Sequence, residues 1–181
     1  MKIGVIGAGR LGICFALLCE EAGHDVIVSD VNKNYIRDLT NKEIYTNEPE
    51  VEDLLMRSEN LKATVSNREV IRNSDVIFTF VPTPSLEDGS YDIQYVDQVV
   101  DNFLDSPSIQ DKIFVIGCTV NPGYSDTVQE RLSERGCSVF YNPEFIAQGS
   151  IISDMRTADM ILCGGSDIRG FELLSSIYES I

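Results

Sequence analysis

Six residues constrain this chain more than any others: Gly7-Ala8-Gly9-Arg10-Leu11-Gly12, set directly after the apolar run Lys2–Ile6 and opening the amphipathic stretch Arg10–Glu21. The arrangement predicts a strand, a tight turn and a helix. Gly7 permits the turn, Gly9 lets the backbone approach a ligand, and Gly12 removes a side chain where the helix must lie close to the sheet. The unpaired N–H groups and dipole at such a helix start favour an anion, here a diphosphate. Alone, the glycine pattern is weak. It gains force from Asp30, which ends the next apolar run, Asp25–Ser29, 18 residues beyond Gly12. A carboxylate there accepts hydrogen bonds from adenosine ribose hydroxyls and repels a 2′-phosphate, so the expected cofactor is NAD rather than NADP. The cofactor-binding set at this end is Gly7, Gly9, Arg10, Leu11, Gly12 and Asp30.

The rest of the chain repeats the alternation. Further short apolar runs at Asp75–Val81, Lys112–Ile116, Cys137–Tyr141 and Asp159–Cys163 read as strands covered on both faces, with Leu61–Val65 a weaker candidate. Helical periodicity appears at Arg10–Glu21, Ile93–Leu104 and Ser125–Gly136, with a short helix over Glu50–Ser58. Strand, helix, strand in repetition implies an α/β fold: a Rossmann-like, doubly wound, mainly parallel sheet with helices on both faces. Phe171–Ile181 has apolar residues at helical spacing. The expected division is a dinucleotide-binding domain over 1–165 and, over 166–181, the start of a helix leading toward a further domain.

Charge narrows the partners. Twenty-nine acidic residues against 14 basic give a net charge of -15, which repels nucleic acid and anionic lipid. Phosphates must therefore be held locally. No run reaches the roughly 18 consecutive apolar residues that suggest a membrane span. Five cysteines without paired metal-ligand spacing read as reduced, apolar filler in a cytoplasmic protein.

Three more loops follow predicted strands on the side where open parallel sheets bind ligands. Thr83, between Pro82 and Pro84, offers a hydroxyl to a cofactor amide or ribose. Thr119 is placed to hold a water or a substrate oxygen. Glu144, after Pro143, suits an acid, a base or a substrate anchor, and a solvated loop glutamate is the plainer alternative. Cys118 has no adjacent base and reads as packing. The only histidine, His24, falls at the opposite end of the sheet.

In order along the chain stand KIGVIGAGRLGICFALLCEEAGHDVIVSD, NEPEVEDLL, VPTPSLEDGSYDIQYV, CTVNPGYSDTV, NPEFIAQGSIISD and ADMILCGG. With these motifs the chain resembles the N-terminal domain of the UDP-glucose/GDP-mannose dehydrogenase family over nearly its whole length. The resemblance implies an NAD-dependent enzyme that oxidises the C6 alcohol of a nucleotide sugar twice, through a thioester on cysteine, to the uronic acid. It implies cofactor contacts at Thr83, Thr119 and Gln148, a catalytic water positioned by Thr119, and a substrate-end role for Glu144. The chain departs where the family commonly has Lys-Ser-Thr in place of Gly117-Cys118-Thr119, and PEFLREG in place of PEFIAQG. Gln148 can hydrogen-bond but cannot carry charge. The family nucleophile lies further along than these residues reach. The expectation is therefore a chain that is inactive alone and monomeric, from an intact homodimeric enzyme acting on a UDP-sugar. A non-enzymatic dinucleotide sensor of the same descent is the alternative.

Overall fold

The computed structural model describes residues 1–181 as six strands and eight helices. In chain order these are β1 (Lys2–Ile6), α1 (Arg10–Glu21), β2 (Asp25–Ser29), α2 (Lys33–Thr40), α3 (Val51–Arg57), β3 (Lys62–Thr64) and α4 (Asn67–Asn73). There follow β4 (Val76–Thr79), α5 (Gln94–Leu104), β5 (Ile113–Ile116), α6 (Tyr124–Ser133), β6 (Ser138–Tyr141), α7 (Ile151–Arg156) and α8 (Ile168–Tyr178). All strands are parallel, in the order β3-β2-β1-β4-β5-β6. The Rossmann-like doubly wound reading is what the chain adopts.

Alternation along each strand sorts the core into two. Ile3, Val5, Val26, Val28, Val76, Phe78, Ile113, Val115 and Phe140 face one side, where α1, α3, α7 and α8 cover them. Ile6, Ile27, Ile77, Phe114, Ile116 and Val139 face the other, against α4, α5 and α6. Because both faces are covered, the central strands are mostly apolar rather than alternating with polar residues. No helix is long and apolar enough to cross a membrane.

The weak candidate at 61–65 supplies β3, whereas 159–163 is not a strand. Met160, Ile161 and Leu162 are exposed, and only Gly164 pairs, in an isolated antiparallel bridge with Tyr141. The apolar run has strand propensity but runs into β6 in the wrong direction to extend a parallel ladder. After it, α8 docks closely on β6: a Cβ on Gly170 or Gly165 would fall 2.2 or 2.5 Å from the Phe140 ring. Leu174, Ile177 and Tyr178 thereby join the larger core cluster.

Candidate functional site

Parallel strands send all their outgoing loops to one edge, and the candidate residues lie on those loops. The turn after β1 is built by two glycines with reasons internal to the protein. Gly7 has φ 94°, and a Cβ on it would lie 2.6 Å from the Phe80 carbonyl oxygen. A Cβ on Gly12 would lie 1.9 Å from the Gly7 oxygen. Gly9 differs: its φ is -61°, and a Cβ there would meet nothing within 4 Å. It caps α1 without a side-chain hydrogen bond, and the first turn carries no acidic residue. The first helix-closing bond runs from the Ile13 N–H to the Gly9 oxygen, so the amides of the opening turn point outward. The space over Gly9 and those amides fits the diphosphate of a dinucleotide.

Asp30 follows β2. Its carboxylate accepts the Ala8 N–H at 3.2 Å and the Asn32 N–H at 2.9 Å, which fixes it against the glycine turn. A cleft of about 650 Å³ opens beside it, lined by Gly9, Arg10, Asp30, Tyr35, Tyr45 and Glu52 among others. Its size suits the adenosine half of a cofactor. Arg10 reaches out of the cleft and donates to the Gln148 side-chain oxygen at 2.7 Å, joining the first loop to the last. Leu11 is partly buried against the core. Gly7, Gly9, Arg10, Gly12, Asp30 and Gln148 are thus one neighbourhood.

Thr83 and Thr119 stand apart from that cleft, on the loops after β4 and β5, and Thr119 is exposed. Asn121 staples these two loops: its side chain accepts the Tyr91 N–H and donates to the Tyr91 oxygen, both at 2.9 Å. Sequence reasoning left Asn121 without a role. The departure at Gly117 has a local cause, since a Cβ there would fall 2.3 Å from the ring of Phe80. Phe80 fills the space beside Phe15 and Phe78 that a side chain at 117 would need. Burial pushes the Cys118 thiol up to about 12, which leaves it protonated and a poor nucleophile. His24 contacts the N-terminal amine and Ser180 at the far end of the sheet.

Glu144 is half-buried beyond β6, and burial raises its carboxyl above the ordinary glutamate range. Its partner is the Tyr178 hydroxyl at 2.5 Å, delivered by α8, and the same hydroxyl meets the side-chain oxygen of buried Asn142. A second glutamate lies within the NEPEVEDLL motif, where the sequence alone gives it no role. Glu48 is buried and accepts the Gly149 N–H at 2.8 and 3.0 Å and the Ile151 N–H at 3.4 Å. Its position beside Pro49 was the available signal. Tyr178 and Glu48 become neighbours of the site only through long-range contacts, whereas Asn142 lies two residues before Glu144.

The family model for the UDP-glucose/GDP-mannose dehydrogenase family, NAD binding domain, matches residues 1–181. The UDP-glucose 6-dehydrogenase of Rickettsia prowazekii is 33% identical over 98% of this chain and 42% of its own length. A ternary complex of GDP-mannose dehydrogenase from Pseudomonas aeruginosa superposes with a TM-score of 0.91 at 28% identity, over 100% of this chain and 44% of that one. UDP-glucose dehydrogenase from Pyrobaculum islandicum gives a TM-score of 0.87 at 28% identity, over 98% and 44%. The chain therefore spans less than half the length of these relatives. By fold and by the match along its whole length, the chain belongs to the UDP-glucose/GDP-mannose dehydrogenase family, as its NAD binding domain.

Proposed function

We propose that this chain is the cofactor-holding part of an NAD-dependent nucleotide-sugar 6-dehydrogenase that oxidises the C6 alcohol of a UDP-sugar, UDP-glucose foremost, to the uronic acid. The observation that carries the reading is the helix start at Gly9, open to a ligand and uncapped, with Asp30 fixed beside it. NAD, when bound, supplies the hydride-accepting nicotinamide. The amides of the first turn of α1 hold the diphosphate, and Gly7 and Gly12 shape that turn. Asp30 takes the ribose hydroxyls and disfavours a 2′-phosphate. Arg10 and Gln148 lie across the mouth, where their hydrogen bond orders the last loop. Leu11 anchors the helix start to the core.

At the substrate end, Thr83 contacts the cofactor, Thr119 fixes a water or a developing oxyanion, and Glu144 orients the substrate. These residues position and polarise; the covalent step falls to a cysteine that residues 1–181 do not supply. Alone, the chain binds NAD without turnover and is monomeric, and the intact enzyme is a homodimer with no nucleic-acid or membrane partner. Titration with NAD and NADP tests this. NAD binds more tightly than NADP, and Asp30→Ala erases the preference. Equal affinities that ignore the substitution remove Asp30 from its role. NADH formed from UDP-glucose by the purified chain refutes the division of labour.

A further inference from the structure

The hydroxyl of Tyr178 stands between two acceptors and has one proton. On one side is the Asn142 side-chain oxygen, on the other Glu144 Oε1. The orientation of Asn142 is fixed independently, because its Nδ2–H donates to the Leu162 carbonyl oxygen at 2.9 Å. A flipped amide would set two carbonyl oxygens against each other. Asn142 Oδ1 can therefore only accept, and it is fully buried, so no water substitutes for the tyrosine. If Tyr178 donates to Asn142, the contact with Glu144 needs a proton from the glutamate. If Tyr178 donates to Glu144 instead, a buried amide oxygen faces a lone pair.

The surroundings favour the first arrangement. Tyr178 packs on the rings of Phe15 and Phe78. The titratable groups that act on the pair are the thiols of Cys19 on α1 and Cys163 ahead of α8, both raised by burial. Glu172 of α8 and Glu179, which caps its C-terminus, line the same groove as Tyr178. These neighbours are neutral or acidic, and Glu144 has no hydrogen-bond partner except Tyr178. A carboxylate anion here is desolvated without a compensating cation.

We propose that Asn142 and Tyr178 act as positioning residues that hold Glu144 as an uncharged carboxylic acid, its O–H donating to Tyr178 and its Oε2 left as a neutral acceptor for a substrate hydroxyl. The chain of donors runs Glu144 to Tyr178 to Asn142 and stops there, so it fixes a direction rather than relaying a proton away. The substrate-facing part rests on the placement of Glu144 at the substrate end. The protonation state does not, and it can be read in the free chain.

The test is a pH titration of the glutamate Cδ resonances by NMR in the chain labelled with ¹³C-glutamate, with Glu144→Gln identifying the signal. Glu144 is expected to titrate later than the other glutamates. Tyr178→Phe and Asn142→Leu separate the two arrangements. Loss of the tyrosine removes the acceptor of the acid's proton, and loss of the asparagine frees the tyrosine proton for the carboxylate. Both variants are expected to bring the Glu144 midpoint down. An unchanged or raised midpoint in the two variants, or a wild-type Glu144 that titrates with the rest, overturns the proposal. The wild-type measurement stands even if a variant does not fold. A chain that ignores NAD yet shows these shifts would sink the functional reading and leave this one intact.

Discussion

The glycine at position 9 has no reason inside the protein to be a glycine, which makes Gly9→Ser informative. The position has φ -61° and ψ -173°, within reach of any residue, and a Cβ there meets nothing within 4 Å. It is also the N-cap of α1, with no side-chain cap of its own. A serine hydroxyl would accept one of the free amide N–H groups of the first turn, worth a few tenths of a kcal/mol over glycine. Restricting the unfolded chain adds about 0.4–1 kcal/mol. The sum, about 1 kcal/mol, corresponds to a rise of about 2–4 °C in melting temperature for a domain of this length. The same hydroxyl occupies the amides on which the diphosphate would rest. NAD affinity is expected to fall at least ~10-fold, equivalent to about 1.4 kcal/mol. Melting by circular dichroism and NAD titration by calorimetry read the two effects on one sample. A variant that is stabilised and still binds NAD like the wild type would refute the seat assigned to the diphosphate. A variant that is destabilised would refute the claim that the space over Gly9 is open.

Gly12→Ala, three residues away, behaves oppositely: its Cβ would sit 1.9 Å from the Gly7 oxygen, so α1 must move off β1. A loss of about 1–3 kcal/mol is expected from overpacking, seen as a lower melting temperature before any ligand is added. Glu48→Ala strips the acceptor from the Gly149 and Ile151 N–H groups and should cost ~1–3 kcal/mol, with faster amide exchange at both positions. Glu144 gives a pH dependence. Its folded carboxyl holds the proton above the ordinary glutamate range because it is buried, while the unfolded chain releases it lower. Its contribution to stability is thus complete below the unfolded value and declines as pH rises to the folded one, then stays flat. Glu144→Gln lacks this decline, so its melting temperature relative to wild type should climb across that window; a falling difference contradicts the sign.

Legibility in the sequence followed the range of the interactions. The glycine turn and Asp30 could be read because their requirements are local: a positive φ, a close approach, a carboxylate at a strand end. Likewise α4 was readable in principle, since Ser66 and Glu69 have capping-box spacing and the Ser66 hydroxyl accepts the Glu69 N–H at 3.3 Å. The run at 159–163 misled because propensity does not say which edge a strand will find. At the site, no spacing rule connects Tyr178 with Asn142 and Glu144, or Glu48 with Gly149. These pairs lie 36, 34 and 101 residues apart and meet only when α8 and the loop ahead of α3 dock. The departure at Gly117 was visible, but its cause, the ring of Phe80, belongs to another strand's loop.

The carboxylate of Glu48 ties the cleft to the loop after β6. Ile44, Tyr45, Thr46 and Asn47 form one wall of the adenosine side, and the next residue grips the backbone that opens α7, beside Gln148. The wall and the segment following Glu144 are thus tied to one another, with the Arg10–Gln148 and Arg156–Glu50 hydrogen bonds beside that anchor. Loss of that one carboxylate would therefore free both the cleft wall and the turn that follows Gln148.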